Sequence, residues 1–548
     1  MSSSAPLTQF EIPDKLLAQL REDVVERRIE SGIQWFQAHR DQLLTLDPAR
    51  KNAAAFVDHL AQWVDIGYGD AGIIRELLSR FPKANRATLP LCDYVHLRLA
   101  EGMAAAAEEE SEEAVGHFDF IISLGEEVVA DKQLLALAHF WKGRCQRKQG
   151  EYDSALSHTV RGRELALELG YRRMAAVMQV LESWLNFQKE RLPQAVTILQ
   201  EAEAVLRETD DSVTLGNIHS GYGRIAMREG RYDHALEHFA AAIECYRKRD
   251  PRHRNLARSL ANMAYAKRLI ALRLARKIDA EVAERRKSVT PSPGAAAGVP
   301  YRQRFERLRA EAFANLEQAE DIYRSHHHHR GLGTVRIDRG FLFLDSGDIE
   351  HAGVQADEAY EQGEEKKDRI LMARARILQS TIETAKYEEG IDERQEPALH
   401  AQRALDYAKD ALTFAAQTEN RRLRARAYIC QGLTFCNDLF GNPEGARDCC
   451  DRAADYLTPG HHDQLWEEHQ ALKAKVLQAG SVDATLRKWS QGLVGEKTFQ
   501  QMTEEFAELI IPKVWEREGR KVSRVAVKLS ISPKKVRRIL NKLGLKGE

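Results

Sequence analysis

The spacing of small and apolar residues predicts helices along most of this chain. In the segment 228–246 (REGRYDHALEHFAAAIECY), Ala235, Phe239 and Ala242 recur at intervals of four and three residues, so they share one face of a helix. That face is mostly small, which lets a second helix lie close against it. The preceding segment, 214–228, supplies such a helix. Together the two segments predict a helical hairpin.

The same pattern of small, apolar and small residues occurs eight times. The successive spacings are 41, 40, 40, 77, 40, 52 and 42 residues, and the pattern starts at Ala114, Ala155, Ala195, Ala235, Ala312, Ala352, Ala404 and Ala446. The two irregular steps correspond to one ordinary repeat plus insertions of about 37 and 12 residues. A period of about 40 residues with two helices per period is typical of an α-solenoid.

These repeats resemble those of the tetratricopeptide-repeat (TPR) family in a long-helix form. The matching residues are Gly150-Glu151-Tyr152 with Ala155, Gly230-Arg231-Tyr232 with Ala235, Phe239 and Ala242, and Gly347-Asp348-Ile349 with Ala352, Ala356 and Ala359. The resemblance covers residues 88–480. It implies an all-α fold, a right-handed superhelix of helical hairpins.

The resemblance also implies that the first helix of each hairpin lines the concave inner side of the superhelix. Counting back from the small anchors, the residues expected there are Arg144, Arg147, Val180, Trp184, Phe187, Asn217, Ser220 and Arg224. A groove of this composition can hold a protein segment or an extended peptide by its amides and carboxylates. The alternative is that the aromatic residues belong to the core.

Three segments lie outside the regular repeats. Residues 1–87, with helices predicted at 13–46, 53–66 and 71–81, are expected to cap the end of the array. The Pro, Gly and Ala residues of 288–300 predict a mobile surface loop inside one hairpin. Residues 481–504 are predicted to be a connecting helical segment.

Other clusters of charged or metal-binding residue types have ordinary explanations. The Arg- and Lys-rich helix 256–287 is interpreted as a solvated arm with Glu281 and Glu284 as partners, or as a second nucleic-acid contact. The side chains of His326 to His329 point in different directions on an ordered backbone, so no metal site is expected. The seven cysteines lack paired zinc spacings and are expected to be reduced core residues. No cofactor is expected.

Charge is distributed very unevenly along the chain. The whole sequence has a formal net charge of −1, whereas residues 513–546 hold twelve Lys and Arg against two Glu, a local +10, which leaves −11 for the rest. A basic tail on an acidic body indicates a polyanionic partner for the tail.

The tail has the pattern of a helix-turn-helix. Helices are predicted at 504–518, 521–529 and 533–543, with Ser532 as the N-cap and Pro533 as the first residue of the third helix. Val536, Leu540 and Leu543 are spaced to face the core of the tail domain. The remaining positions of the third helix are mostly basic.

More narrowly, residues 505–548 resemble the Fis-type DNA-binding domain found at the C-termini of many bacterial regulators. The matching residues are Glu508-Leu509-Ile510, Gly519, Val525-Ala526, Leu529, Ile531, Val536, Leu540 and Gly544-Leu545. The family usually has Gly where Ser530 stands and Arg where Pro533 stands. The resemblance implies binding to duplex DNA as a homodimer.

In this interpretation the third helix enters the major groove and the second helix binds backbone phosphates. The residues expected to contact DNA are Arg524, Lys528, Ser532, Lys534, Lys535, Arg537, Arg538 and Lys542. The alternative is that a basic helical hairpin only caps the solenoid.

The leading hypothesis is therefore a bacterial transcriptional regulator, in which the superhelix binds a protein or peptide and the tail binds DNA. The other hypothesis is a scaffold for protein assembly whose tail binds protein or RNA. An enzyme is not expected, because the sequence has no GxxxxGK[ST], HExxH or GxSxG motif. The chain also lacks an apolar run of about 18 residues and any basic-plus-apolar start, so a cytoplasmic protein without a membrane contact is expected.

Overall fold

The computed structural model describes residues 12–63, 66, 71–287, 299–390, 397–458, 462–480 and 497–545. Within these ranges the chain is all-α, with no strand and with one short 3-10 segment at Lys83–Thr88. The helices before the repeats are α1 (Asp14–Val25), α2 (Ile29–Ala38), α3 (Arg40–Leu43), α4 (Ala53–Trp63) and α5 (Ala71–Ser79).

Eight helical hairpins follow, and a further helix comes after them. The pairs are α6 (Leu91–Ala107) with α7 (Ser111–Val128), α8 (Lys132–Gln149) with α9 (Tyr152–Glu168), α10 (Arg172–Gln188) with α11 (Leu192–Leu206), α12 (Ser212–Arg228) with α13 (Tyr232–Arg249), α14 (Arg254–Lys287) with α15 (Val299–Ser325), α16 (His329–Leu344) with α17 (Ile349–Glu365), α18 (Arg369–Glu389) with α19 (Pro397–Ala416), and α20 (Arg421–Phe435) with α21 (Pro443–Asp455). The further helix is α22 (Gln464–Gly480). The fold is an all-α, TPR-like solenoid.

The small anchors explain why the hairpins are close-packed. All eight lie in the second helix of a pair, and each is at most 1% exposed. Facing them, the first helices also carry small residues: a Cβ added at Gly223 would stand 2.5 Å from the ring of Phe239. The 77-residue step arises because α14 and α15 are longer than the other helices, with 34 and 27 residues. The loop predicted at 288–300 lies mostly outside the described residues, and α15 begins at Val299.

The superhelix coils far enough that its late turns meet its early ones. The Lys366 ammonium lies 2.6 Å from a carboxylate oxygen of Glu110, and the Glu419 amide donates to the Gly150 carbonyl at 2.8 Å. Farther along, the hydroxyl of Thr458 donates to Glu190 at 3.3 Å. These contacts close one edge of the concave side.

The N-terminal helices close the other edge. α4 packs on α6 at the end of the array, while α1 and the start of α2 contact residues at or near the starts of α8, α10 and α12. Arg21 pairs with Asp131 at 2.6 Å, and Arg27 donates through Nε to Asp211 at 2.7 Å. The prediction of one helical stretch over 13–46 is wrong. Arg27 has a φ of 56°, which ends α1 and turns its guanidinium onto the buried Asp211.

The described part of the basic helix α14 differs from the solvated arm predicted for it. Four of its cations pair with carboxylates of neighbouring helices and not with Glu281, while Lys277 is exposed. Lys267 lies 2.8 Å from Glu311, and Arg268 lies 2.6 Å from Asp345. Arg273 and Arg276 both pair with Glu467. These four cations connect α14 to neighbouring parts of the superhelix, and the predicted nucleic-acid contact stays a prediction.

The C-terminal unit consists of α23 (Phe499–Arg517), α24 (Val522–Lys528) and α25 (Pro533–Lys542). Its core includes Val525, Val536, Ile539 and Leu540, each at most 1% exposed, with Trp515 beside them. Leu543, predicted to face this core, is 41% exposed because α25 ends at Lys542 and Ile539 takes the inward position.

The connecting segment predicted at 481–504 is described only in its last residues. α23 begins at Phe499, where Thr498 and Gln501 form a reciprocal capping box, so the last residues assigned to the connecting segment belong to this helix. Residues 481–496 lie outside the described ranges.

The cysteines are all free; four are buried, whereas Cys92 is exposed and Cys245 and Cys436 are half-buried. Within the described ranges, no helix is both long and apolar enough to span a membrane.

Candidate functional site

The concave side of the superhelix encloses a groove of about 600 Å³. It is lined by the first helices of successive hairpins, together with residues of α1 and α4. The structure places seven of the eight predicted inner residues on this groove, namely Arg144, Arg147, Val180, Trp184, Phe187, Asn217 and Arg224. Ser220 is the exception: it is fully buried, because its position on α12 faces neighbouring helices instead of the groove.

The lining of the groove is strongly cationic. It contains eight Arg and one Lys but only one carboxylate, that of Asp250. Several of these cations have a carboxylate partner behind the surface: Arg330 donates to Asp368 at 2.7 Å, and Arg374 donates to Asp338 at 3.3 Å. The positive charge of the groove is thus neutralised only in part.

Three central arginines have no carboxylate partner within the described part of the chain. The Arg147 guanidinium lies over the Trp184 ring, 4.9 Å from its centroid, and its Nε is buried without a hydrogen-bond acceptor. Arg224 donates through Nε only to the backbone carbonyl of Ser220, at 3.2 Å. Arg258 donates to the amide oxygen of Asn217 at 2.8 Å. We refer to Arg147, Arg224 and Arg258 as the arginine cluster.

Asn217 positions Arg258 within the cluster. Its side-chain oxygen accepts from the Tyr246 hydroxyl at 2.9 Å and from Asn255 at 3.2 Å, in addition to Arg258. The oxygen predicted to contact a partner is therefore already occupied. Asn217 supplies a neutral acceptor that fixes the Arg258 guanidinium without cancelling its charge.

The crowding of positive charge perturbs the titration of the groove. Burial, followed by repulsion from Arg258 and Arg144, holds the pKa of Arg147 well below its ordinary value. Burial and the charge of Arg258 likewise lower the pKa of Arg224. Burial also lowers the pKa of Lys148 to about 8, although Glu109 opposes this shift. These are the shifts expected where cations lose water without gaining a counter-charge.

Sequence reasoning missed Lys148, Arg254, Arg258, Arg330 and Arg374, which also line the groove. The inner residues were found by counting back from the small anchors, and the 77-residue step breaks that count at α14. Arg258 lies one turn into α14, much as Asn217 lies one turn into α12. Alignment of the first helices by their N-termini would have found it.

The histidine run lies at the rim of this groove and its side chains diverge. His326 bonds the Arg252 carbonyl at 2.8 Å, whereas His328 caps α16 by accepting from the Gly331 amide at 2.8 Å. Burial, together with the nearby Arg254 and Lys148, keeps the pKa of His328 well below its ordinary value, in agreement with an acceptor role. His326 and His328 thus have separate contacts.

The second candidate site is the outer face of α25. Lys534 and Arg537 are exposed and Lys535 is half-exposed; Arg524 is exposed on the preceding helix. Arg538 and Lys542 turn towards α23 and pair with Glu504 and Glu508. The remaining predicted contacts also have partners: Lys528 lies 3.2 Å from Glu518, and the Ser532 hydroxyl caps α25 by accepting from the Lys535 amide at 3.2 Å.

Comparisons with known proteins add three structural likenesses. No family model matches the chain, and no curated protein matches it. A Rap protein complexed with competence and sporulation factor is 12% identical, with a TM-score of 0.48 over 73% of this chain and 98% of that one. The apo quorum sensor NprR from B. thuringiensis is 11% identical (TM-score 0.45, covering 71% and 97%). The human IFIT1 dimer with PPP-AAAA is 11% identical (TM-score 0.42, covering 82% and 96%). The helical-repeat arrangement of this chain therefore rests on its own helices.

Proposed function

We propose that this protein is a bacterial DNA-binding transcriptional regulator, in which the superhelix binds a protein or peptide partner and the C-terminal unit binds duplex DNA. The observation that carries the proposal is the division of α25 into two faces. Val536, Ile539 and Leu540 are buried, whereas Lys534 and Arg537 project into solvent on the other side. A short helix with this division can lie in a major groove while its inner face stays packed.

The turn before α25 supports a Fis-type helix-turn-helix. Ser530 stands where that family has Gly, and it has a φ of 51°. This left-handed conformation is the one that glycine adopts at least cost. A chain that keeps the conformation with a serine has kept the geometry of the turn. The buried positions of α24, Val525 and Ala526, also match the family pattern.

The groove supports the partner-binding part of the proposal. Its position along the first helices of several hairpins offers an extended surface, and TPR-like superhelices can hold a peptide there by side-chain amides and cations. With a partner in the groove and DNA on the tail, the solenoid and the C-terminal unit would have separate binding functions. No active-site constellation is needed for this role, and we propose no enzymatic activity.

DNA binding can be tested by fluorescence anisotropy with a labelled duplex and the full-length protein at several salt concentrations. The double variant Lys534→Ala, Arg537→Ala should bind at least about tenfold more weakly, with a smaller salt slope, because two phosphate or base contacts are lost. The matched control is Arg247→Ala, Arg452→Ala, which removes two exposed cations from the solenoid. Equal affinities of the two double variants for DNA would exclude α25 as the DNA-reading helix.

One observation keeps the scaffold alternative in view. α23 exposes Phe499 (82%) and Phe506 (47%), an apolar surface that a protein could cover. If the wild-type protein binds no duplex DNA but retains stable protein partners that depend on these two residues, the scaffold is the better description. Selection of bound fragments from genomic DNA would then also return no enriched sequence.

A further inference from the structure

The arginine cluster leaves a charge that the folded chain does not balance. Three guanidiniums share the groove, and within the described residues none has a carboxylate partner. Burying like charges without a counter-charge is unfavourable, and folded proteins usually supply a partner or let a ligand supply it. The rim cations Arg330 and Arg374 show that this chain supplies carboxylates elsewhere in the same groove.

The geometry of the cluster suits oxygen anions. Guanidinium groups present several N–H donors in one plane and bind a carboxylate through two parallel hydrogen bonds. The buried Nε atoms of Arg147 and Arg258 have no acceptor in the described structure. An anion entering the groove would bind the accessible parts of these guanidiniums and would reduce the repulsion among the three groups.

The surroundings favour a peptide over a nucleotide. Stacking of a base requires an open aromatic face. The indole of Trp141 is already covered by Arg144, at 4.1 Å from the ring centroid, and that of Trp184 by Arg147. The lining instead offers the side-chain amides of Asn255 and Asn262, groups that can bond a peptide backbone.

We infer that the groove binds an acidic peptide segment whose carboxylates are held by Arg147, Arg224 and Arg258. This inference rests on the proposed function in one respect, namely that a peptide or protein partner occupies the groove. It adds the chemical class of that partner. The outer body of the protein is acidic overall, so the groove would select by charge a ligand that the rest of the solenoid repels.

The first test is selection from a random peptide library displayed on phage, with the full-length protein as bait. The selected peptides should be enriched in Asp and Glu relative to the starting library. A labelled copy of a selected acidic peptide should bind the protein in a fluorescence anisotropy titration. Its counterpart with every Asp and Glu changed to Asn and Gln should bind at least about a hundredfold more weakly. Enriched peptides without acidic residues would overturn the inference but leave a peptide-binding groove in place. No enriched peptide at all would remove the partner-binding part of the proposed function as well.

The second test uses variants of the cluster. Arg147→Gln with Arg258→Gln should reduce the affinity for the selected acidic peptide by more than about thirtyfold, whereas Arg247→Gln with Arg452→Gln on the outer surface should leave that affinity unchanged. The melting temperature of the unliganded groove variant should stay level or rise, because the change removes repulsion between buried charges. A large fall in melting temperature would show that these arginines are structural, and would overturn the inference.

Asn217→Asp offers an independent measurement with an almost unchanged side-chain shape. It places a carboxylate oxygen where the amide oxygen now lies 2.8 Å from Arg258. The new carboxylate should raise the melting temperature of the free protein and lower the affinity for the selected acidic peptide by about tenfold. An unchanged affinity would contradict an acidic peptide as the occupant. Displacement of the selected acidic peptide by ATP, added at the same total charge as the peptide, would contradict it as well.

Discussion

The protein has two cationic regions that differ in their access to water. In the groove, Arg147, Arg224 and Arg258 are half-buried and have no carboxylate partner in the described structure. On α25, Lys534 and Arg537 are exposed and hydrated. The same charge type therefore costs stability in one region and almost nothing in the other.

This difference determines what each region can recognise. A dehydrated guanidinium interacts strongly over short distances, because little solvent screens it, and so it rewards an anion of the right shape. An exposed cation attracts any polyanion over a longer range, and salt screens that attraction. The groove is thus suited to selecting one ligand, and α25 to holding a long, uniformly charged one.

The largest expected effect would separate the two regions completely. Val536→Asp places a carboxylate in the small core of the C-terminal unit, at a position that is fully buried. An unpaired buried charge costs more than about 3 kcal/mol, which is comparable to the whole stability of a unit of this size. DNA binding should be lost, and limited proteolysis should cut within α24 and α25. Binding of an acidic peptide to the groove should persist.

Val527→Asp is the matched control for this change. It introduces the same carboxylate in the same unit, but Val527 is 81% exposed. The unit should stay resistant to protease, and DNA affinity should fall only modestly through the added negative charge. If both variants lost the groove ligand as well, the two regions would be energetically coupled and not separate.

Salt should produce the second-largest contrast. If α24 and α25 together neutralise about four phosphates, raising the salt concentration fourfold should weaken DNA binding by about a hundredfold. The acidic peptide should lose affinity by only about threefold, because the cluster is screened much less. Anisotropy titrations of both ligands against one preparation of the protein measure the two slopes. Equal slopes would mean that the groove is as hydrated as the outer face of α25.

The architecture was predictable because one local pattern repeats. Each hairpin needs a small residue where its helices cross, and that residue type recurs at a readable spacing; the anchors at Ala312 and Ala404 were found despite the insertions before them. The inner residues followed from the same count. The exception was Ser220, because Gly221 takes the groove position on α12, and an offset of one residue, about 100° of helix rotation, turns the Ser220 side chain to a neighbouring helix.

Contacts between distant parts of the chain were not predictable in this way. The pairs Arg27–Asp211 and Arg268–Asp345 join residues that no local pattern relates. For the same reason Arg538 and Lys542 were assigned to DNA, although their helical positions also reach Glu504 and Glu508 on α23. A charge count identifies a basic surface, but only the packing shows which of its cations already have partners.

The smallest expected effect, and the most specific to the groove, is a pH dependence that comes from Lys148. Burial lowers the pKa of this lysine to about 8 from an ordinary value of 10.5, so the free folded protein releases its proton above pH 8 while the unfolded chain still holds it. The unliganded protein should therefore gain stability as the pH rises through this window.

An acidic ligand needs the charged lysine, so its affinity should fall over the same window, by about fivefold for one lost charge. Lys148→Met should bind more weakly at pH 7 and show a shallower decline over this window. On α25, Glu508 raises the pKa of Lys542, so DNA affinity measured in parallel should not follow this decline. An equal decline of DNA affinity would attribute the effect to the whole protein and not to the groove.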